Sequence, residues 1–413
     1  MSRTINLILL GAPGAGKGTQ AEIISEKYMD MIGGIAVNTL GHSNKALTST
    51  IAKQAGELIH CSNYYYIPER SELAFRLCSL SFADKVFFSN SGAEANEGAI
   101  KLARGYFYHK GNPERNEIIT AKMSFHGRTL GTIAATGQDK FRVPFEPCVP
   151  GFKYVEFNDY DALSQMVDNK TAAIMLELVQ GESGVHPADE DYIQNVRKLC
   201  NDKGILLIVD EVQTGIGRTG RMFCYENYGI TPDIMTLAKG LAGGVPIGAT
   251  LCTEEVSSGF VVGDHGSTFG GNPLACAAGS CVISQIVEKD LINNVNEVSS
   301  YIFSELATLQ SKYSSIVSVR GKGLLIGIEF RDGISAAGMR EQLFRKGMLV
   351  SAIGRSTIRI APPLIITTGE AKKFISALKD ILKNQKKNPL PSSGSVADST
   401  QPTMVLPVQN PNN

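Results

Sequence analysis

The chain has 413 residues, of which 43% are hydrophobic and 19% charged, so it is long enough for two or three domains with sizeable cores. Its 40 basic residues balance 40 acidic ones, which gives no indication of a nucleic-acid or anionic-membrane partner. Eight scattered cysteines without a Cys-x-x-Cys pair and six dispersed histidines favour reduced thiols in the cytoplasm and no metal site. No stretch reaches the ~18 apolar residues of a membrane span.

The first element is a βα unit with a glycine-rich loop. A strand is predicted over residues 5–10, a loop over 11–16 and a helix over 17–28. The run Gly11–Thr19 resembles the phosphate-binding loop of adenylate kinases, with Lys17 followed by a glycine and then a threonine. The lid and arginines that such a kinase needs do not follow. We therefore expect weak nucleotide or phosphate binding at Gly14–Lys17 and no kinase activity.

From residue 30 onward, short apolar runs alternate with amphipathic helices. This alternation is typical of an α/β fold, with a parallel sheet covered by helices on both faces. The predicted strands and helices are, in order, Lys85–Phe88, Ala93–Tyr108, Glu117–Thr120, Ala172–Leu176, Asp191–Cys200 and Ile205–Val209.

A smaller α+β domain is predicted after the sheet domain. Apolar residues three and four apart indicate one long amphipathic helix or two: Ile283, Ile286, Val287, Leu291, Val295, Val298, Ile302, Leu306 and Leu309. Strands are expected within Val317–Phe330, Met348–Val350 and Thr357–Ile360, and a closing helix at Phe374–Leu382. The expected domains are thus 1–29, 30–285 and 286–384, and the composition of 385–413 predicts a disordered tail.

The segment Gly204–Gln213 carries the first chemical signal. Its apolar run predicts a central strand buried on both faces, and Asp210 and Glu211 follow at the carboxyl end, where open α/β sheets bind ligands. Three interpretations compete. The acids simply end a strand, or they hold magnesium as partners of the front loop, or Asp210 lies beneath a pyridine nitrogen.

Four further motifs favour the pyridine interpretation. Lys239 lies among apolar and glycine residues in Thr236–Gly240, and Ser89–Asn96 and Ser124–Thr129 precede it, with His265–Pro273 following. Pyridoxal phosphate needs a lysine amine, a carboxylate for its ring nitrogen, helix N-terminal amides for its phosphate and an aromatic ring for stacking. The motifs supply each of these groups.

With these motifs in this order, the chain resembles the class III pyridoxal-phosphate aminotransferases over about residues 28–384. The resemblance implies a fold-type-I transferase, with a large, mostly parallel-sheet domain and a smaller C-terminal α+β domain. It implies that Lys239 forms the Schiff base and moves the proton. Asp210 would pair with the ring nitrogen, Val212 would pack under the ring, and Gln213 would reach the ring oxygen. Glu211 would belong to the same cofactor-binding set.

The resemblance also implies how the phosphate is held. Ser91, Gly92 and Ala93 would receive it at a helix N-terminus, and Phe125 would stack on the ring. Thr268 would reach the phosphate of a neighbouring subunit, which implies a homodimer.

For the substrate, the resemblance implies two arginines. Arg359 would clamp the α-carboxylate bidentately, and Glu182 would shield or release Arg359 between half-reactions. Arg128 and Ser267 would line the substrate side, although Arg128 as a structural ion pair and Ser267 as a turn residue stay open. The chain departs from the family pattern at Leu178 and Ser183, which have proline and glycine as their usual counterparts.

The implied reaction moves the δ-amino group of N-acetylornithine to 2-oxoglutarate, a step of arginine biosynthesis. Ornithine, succinyl-diaminopimelate and 4-aminobutyrate are alternative donors. The family usually begins with several dozen more residues, which supply part of the pocket and of the dimer contact. A chimera that binds the cofactor but is inactive therefore stays open, with residues 5–10 expected to cover the exposed sheet edge.

Overall fold

The structure is a computed structural model that describes residues 28–385. The predicted front loop, with Gly14–Lys17 and the strand at 5–10, and the predicted tail after residue 385 lie outside the described residues. The strands, numbered along the chain, are β1 (Met29–Asp30), β2 (Lys85–Ser89), β3 (Glu117–Ala121), β4 (Phe152–Val155), β5 (Thr171–Leu176), β6 (Val179–Gln180), β7 (His186–Pro187), β8 (Leu206–Asp210), β9 (Ile234–Leu237), β10 (Gly248–Cys252), β11 (Ile316–Lys322), β12 (Leu325–Phe330), β13 (Met348–Leu349), β14 (Ser351–Ile353) and β15 (Thr357–Ile360).

The helices connect these strands in the alternation that the sequence predicts. Numbered in the same way, they are α1 (Lys45–Glu57), α2 (Pro68–Leu80), α3 (Gly92–His109), α4 (Leu130–Ala135), α5 (Asp139–Arg142), α6 (Tyr160–Met166), α7 (Glu190–Lys203), α8 (Glu254–Ser257), α9 (Pro273–Glu288), α10 (Leu291–Lys312), α11 (Ala336–Arg345) and α12 (Thr368–Gln385). A short helical turn over Gly33–Ala36 has positive φ angles throughout, and 3₁₀ turns cover Val143–Phe145, Cys224–Tyr228 and Lys239–Ala242.

A seven-stranded sheet forms the centre of the larger unit. Its strand order is β2-β10-β9-β8-β5-β3-β4, and β10 is antiparallel to both of its neighbours while the remaining pairs are parallel. Every residue of β5 and β8 is buried, as expected for strands covered by helices on both faces. The predicted α/β fold with a mostly parallel sheet is confirmed.

The carboxyl edge of this sheet brings distant segments together. β8 ends at Asp210, β9 leads into Lys239, and β2 leads into the start of α3 at Gly92. Because neighbouring parallel strands end at the same edge, the residues after them meet there, which is where open α/β sheets bind ligands.

A four-stranded antiparallel sheet forms the smaller unit. Its order is β11-β12-β15-β14, and α10 packs against β11 and α12. Arg359 lies on β15, opposite Gly327 of β12 and Ser351 of β14. This is the expected smaller α+β unit, and it carries Arg359 toward the larger sheet.

The periodic apolar residues after Ile283 belong to two helices. α9 ends at Glu288, and Asp290 adopts a left-handed conformation with φ 49° before α10 begins at Leu291. The apolar spacing alone could not distinguish one helix from two, because a short interruption hardly alters the repeat of three and four residues.

Within residues 28–385, no helix is long and apolar enough to cross a membrane. The same part of the chain contains no group of histidine, cysteine, aspartate or glutamate side chains arranged to hold a metal ion.

Candidate active site

A cavity of about 370 Å³ opens at the carboxyl edge of the seven-stranded sheet. Most of the residues predicted for the site line it together: Ser91, Gly92, Ala93, Phe125, Arg128, Glu182, Asp210, Val212, Gln213 and Lys239. Arg359 contacts Glu182 and Gln213 and is 3% exposed, so it lies behind the wall that they form. Glu211, Ser267 and Thr268 are not part of this wall.

Lys239 follows β9 with a backbone φ of 39°, which is uncommon for a residue other than glycine. Burial lowers the pKa of its amine, and the charge of Arg359 acts in the same direction. The carboxylates of Glu182, Asp210 and Glu177 oppose this shift but do not cancel it. A lowered pKa makes the neutral, nucleophilic amine more accessible.

Asp210 is fixed in the floor of the cavity by three hydrogen bonds. Its Oδ2 accepts from Asn96 Nδ2 at 2.7 Å and lies 2.8 Å from His126 Nδ1, and its Oδ1 accepts from the Val212 amide at 3.0 Å. Asn96 Oδ1 in turn accepts from Thr236 Oγ1 at 2.7 Å. This network orients the carboxylate.

His126 is the buried partner of Asp210. Burial disfavours its charged form, but the hydrogen bond to Asp210 and the charges of Asp210 and Glu177 outweigh burial and raise its pKa. Its Nε2 is buried without a hydrogen-bond partner among the described residues. The protonated imidazole is therefore a positively charged partner for the Asp210 carboxylate.

The side chains of Arg359, Glu182 and Gln213 form a closed cluster at one wall. Arg359 Nη1 donates to Glu182 Oε1 at 2.7 Å, to the Gly181 carbonyl at 2.9 Å and to Gln213 Oε1 at 3.2 Å. Gln213 Nε2 donates to Glu182 Oε1 at 3.1 Å. Burial opposes ionisation of Glu182, but the charges of Arg359 and Lys239 and these hydrogen bonds lower its pKa to about 2.

The N-terminus of α3 forms the end of the cavity. Ser91 caps the helix, since its Oγ accepts from the Glu94 amide at 3.1 Å. A Cβ added at Gly92 would lie 2.7 Å from Val212 Cγ1, closer than real Cβ contacts. Only glycine lets the helix start approach Val212, and such a start presents backbone amides to an anion.

The mouth of the cavity is aromatic and cationic. The Arg128 guanidinium carbon lies 4.1 Å from the centroid of the Phe141 ring and 5.4 Å from that of Phe125. The two rings pack edge to face, with centroids 5.8 Å apart. Arg128 is exposed and forms no ion pair with the described residues, so stacking holds it where an acidic ligand group would enter.

Ser267 and Thr268 line a second cavity of about 310 Å³, together with Phe87, Glu94, Glu97 and His265. Ser267 Oγ accepts from Asn90 Nδ2 at 3.3 Å and from the Gly270 amide at 2.9 Å. Ser267 thus lies outside the Lys239 cavity of its own chain, and its place on the substrate side stays a prediction. Its bond to Gly270 is that of a turn residue. Asn90 lines both cavities and separates them.

Glu211 does not face the cofactor cavity. Its Oε2 accepts from the Cys224 amide at 2.6 Å and its Oε1 from the Tyr225 amide at 2.8 Å. Burial raises its pKa to about 8 in spite of these two bonds. The structure therefore corrects the prediction that Glu211 binds cofactor, because successive residues of an extended strand point in opposite directions.

The cavity residues that had no role in the sequence prediction include Asn96, His126 and Glu177. The first two lie inside the motifs Ser89–Asn96 and Ser124–Thr129, so the motifs were the available signal. Glu177 comes directly after the buried strand β5, much as Asp210 lies at the end of the buried strand β8. This similar position at a strand end could have indicated Glu177 from the sequence.

These residues fit pyridoxal phosphate. A lysine with a lowered pKa suits its aldehyde, the fixed Asp210 carboxylate suits a protonated ring nitrogen, and the helix start at Gly92 suits its phosphate. The fold and the cavity together define a pyridoxal-phosphate-dependent transferase.

The chain belongs to the class III aminotransferase family, whose model matches residues 20–382. It is 49% identical over 368 residues to an acetylornithine aminotransferase of Caldanaerobacter subterraneus subsp. tengcongensis, covering 89% of this chain and 93% of the relative. It is 48% identical over 373 residues to that of Methanocaldococcus jannaschii, covering 90% and 93%. The chain is therefore a transaminase that uses pyridoxal phosphate.

Solved structures agree with this assignment. The ornithine aminotransferase from Toxoplasma gondii superimposes with a TM-score of 0.84 at 30% identity, covering 87% of each chain. The N-acetylornithine aminotransferase from Stenotrophomonas maltophilia gives 0.76 at 34% identity, covering 87% of this chain and 92% of the other.

Proposed function

We propose that the chain transfers the δ-amino group of N-acetylornithine to 2-oxoglutarate, as a step of arginine biosynthesis. The observation that carries the proposal is the Arg359–Glu182 pair beside Lys239. The names of the relatives, which are 43–49% identical to this chain, support N-acetylornithine as the donor.

The two substrates make different demands on the cavity. The carbon that bears the δ-amine of N-acetylornithine has no carboxylate, whereas the reacting carbon of 2-oxoglutarate has one. A buried, unpaired arginine beside the first substrate would be costly. Glu182 neutralises Arg359 for the donor, and an incoming α-carboxylate replaces Glu182 for the acceptor by making a bidentate bond.

Lys239 and Asp210 serve both half-reactions. When bound, pyridoxal phosphate supplies an electron sink that makes the carbon next to the transferred nitrogen acidic. Asp210 holds a proton on the ring nitrogen, with Asn96 and His126 fixing the carboxylate. The amine of Lys239 accepts a proton from the substrate carbon and returns it one position away.

Arg128 binds the far end of each substrate. Both N-acetylornithine and 2-oxoglutarate carry a carboxylate remote from the reacting carbon, and Arg128 is the exposed cation at the cavity mouth. Ser91, Gly92 and Ala93 receive the phosphate, Val212 and Phe125 enclose the ring, and Gln213 reaches the ring oxygen.

A homodimer and a cytoplasmic location belong to the same proposal. Thr268 lies outside the Lys239 cavity of its own chain, which leaves it available to a second copy. The eight cysteines are all free, as expected in a reducing compartment. The domain limits at 30–285 and 286–384 remain part of the proposal too.

The donor is tested with purified protein loaded with pyridoxal phosphate and mixed with one amino donor without keto acid. Loss of the visible absorbance of the lysine-bound cofactor reports the first half-reaction. We expect kcat/KM for N-acetylornithine to exceed that for ornithine, 4-aminobutyrate or succinyl-diaminopimelate by at least about tenfold.

Lys239→Ala is the control, and it should show no such absorbance. A different donor that reacts fastest would replace N-acetylornithine in the proposal. Absorbance that ignores all four donors would select the inactive alternative.

A further inference from the structure

Glu177 is a buried carboxyl in the wall of the cavity that the chemistry above leaves unused. It follows β5 directly, is 6% exposed and lines the same cavity as Lys239 and Asp210. Its Oε2 accepts from the backbone amide of Phe125 at 2.9 Å. It therefore contacts the segment that carries the stacking aromatic ring.

The segment Phe125–His126 is held from four directions. Glu177 accepts from the Phe125 amide, and Thr136 Oγ1 accepts from the His126 amide at 3.0 Å. Asn96 Nδ2 donates to the His126 carbonyl at 2.7 Å, and Asp210 pairs with the His126 ring. Glu177 and Asp210 are the two carboxyl groups among these contacts.

The charged groups that face Glu177 are His126, Asp210 and Lys239. Burial raises the pKa of Glu177 to about 7, Asp210 acts in the same direction, and His126 and Lys239 oppose them. In return, the Glu177 carboxylate acts to raise the pKa values of His126 and Lys239. Its ionisation thus acts on both His126 and Lys239.

We propose that Glu177 is a positioning residue with two effects: its hydrogen bond holds Phe125 over the cofactor, and its negative charge, in the wall of the cavity that His126 and Lys239 also line, stabilises positive charge on these two side chains. It acts through Phe125, His126 and Lys239. The inference holds for any amino donor, so it stands apart from the choice of N-acetylornithine.

Glutamine separates the two effects. In Glu177→Gln, the amide oxygen still accepts from the Phe125 amide, but the negative charge is gone. In Glu177→Ala, both the charge and the acceptor are lost. Glu226→Gln is the matched control, because Glu226 accepts from the Phe223 amide at 3.0 Å and burial also raises its pKa, but it lies outside the cavity.

The first measurement is a pH titration of the visible absorbance of the cofactor-loaded protein, which follows the protonation of the lysine-bound nitrogen. We expect Glu177→Gln to move the midpoint to lower pH by about 0.5–1 unit, because a nearby carboxylate no longer stabilises the positive charge. Glu226→Gln should titrate as the wild type does.

The second measurement is the affinity of the apoprotein for pyridoxal phosphate. We expect Glu177→Gln to stay within about threefold of the wild type, and Glu177→Ala to lose about tenfold, because the partly buried Phe125 amide loses its acceptor.

An unchanged midpoint in Glu177→Gln, or an equal shift in Glu226→Gln, would overturn the electrostatic effect. Full affinity in a folded Glu177→Ala would overturn the hold on Phe125. If Glu177→Ala does not fold, Glu177→Gln provides the test. Glutamine keeps the acceptor for the Phe125 amide, so a tenfold or greater loss of its affinity for pyridoxal phosphate would overturn the hold on Phe125.

Discussion

At the residue scale, the ion pair of Arg359 and Glu182 behaves as a switch that responds to carboxylates and not to pH. The pKa of Glu182 is about 2, so its carboxylate stays charged throughout the range in which the protein works. Protonation of Glu182 therefore does not free Arg359. An incoming α-carboxylate must compete with Glu182, and the competition depends on the charge of Glu182.

Replacing Glu182 with glutamine should change the two half-reactions in opposite directions. A neutral amide holds Arg359 less tightly than a carboxylate does, by about 1 kcal/mol. The KM for glutamate should fall by about fivefold, and kcat/KM for N-acetylornithine should fall by a similar factor. Stopped-flow measurement of each half-reaction tests this, and the pH profiles of variant and wild type should share their inflections between about pH 5 and pH 9.

Glu329→Gln is the control for that experiment, because Glu329 pairs with Arg320 in the smaller sheet and does not line the cavity. Equal changes in both half-reactions of Glu182→Gln would contradict the switch.

Glu211, which follows Asp210 at the end of β8, is a carboxylate with a structural role. Its oxygens accept from two backbone amides, and an amide side chain can satisfy only one of them. Glu211→Gln should lower the free energy of unfolding by about 1–3 kcal/mol and leave the affinity for pyridoxal phosphate within about threefold. Urea unfolding of the apoprotein and cofactor titration measure the two quantities.

The stability deficit of Glu211→Gln should depend on pH with a definite sign. Burial raises the pKa of Glu211 to about 8 in the folded protein, and the unfolded value is about 4.3. The stability contributed by its bound proton is present below about pH 4 and is lost as pH rises through about 8. The deficit should therefore be larger at about pH 6 than at about pH 8.5, and a deficit that grows with pH would refute this assignment.

A site residue could be predicted from the sequence where a short motif around it indicates its role. Asp210 and Lys239 each lie in a short motif at a predictable strand end, and the structure brings both into one cavity. The contact of Glu177 with Phe125 joins residues 52 positions apart, and no spacing in the sequence encodes it. Glu211 was predicted wrongly because its motif was read without the alternation of side chains along a strand.

At the scale of elements, the start of α3 depends on glycine. In Gly92→Ala, the added Cβ would meet Val212, which forms the floor of the cavity beside Asp210. Either Val212 or the helix start must shift, so the affinity for pyridoxal phosphate should fall by about tenfold, measured by titration of the apoprotein.

The matched variant for that test is Gly56→Ala in α1, where an added Cβ meets nothing within 4 Å. It should keep the affinity of the wild type and gain about 0.5–1 kcal/mol of stability. Unchanged affinity in Gly92→Ala would show that the helix start does not hold the phosphate.

Periodicity predicted the elements better than their ends. The strand predicted at Lys85–Phe88 runs to Ser89, and the helix predicted at Ala93–Tyr108 runs over Gly92–His109. The pairing of β10 with β2, which joins Gly248 to Ser89, was outside the reach of periodicity, because strand order follows from tertiary packing. The same limit applies to Arg359, whose approach to Glu182 depends on how the smaller sheet packs.

At the scale of the whole molecule, exposed apolar side chains lie beside the second cavity. Tyr66 is 98% exposed, and Tyr64 and Phe269 are also exposed. Asn63 ties this segment to the loop of Thr268, since its Nδ2 donates to the carbonyls of Ser267 and Gly270. A cluster of large exposed apolar side chains is typical of an association surface, which favours the proposed homodimer.

Mixing two impaired variants tests whether Thr268 serves the site of a neighbouring chain. Thr268→Ala should weaken cofactor binding by about tenfold, since a hydrogen bond to a charged phosphate contributes about 1.5–3 kcal/mol. Lys239→Ala should abolish the lysine-bound absorbance. In a heterodimer, the Thr268→Ala chain keeps its own Lys239 and receives Thr268 from its Lys239→Ala partner. Mixed and re-associated chains should therefore regain one site per heterodimer that binds the cofactor tightly, as measured by cofactor titration. If Thr268 acts within its own chain instead, the mixture should show no gain in cofactor affinity.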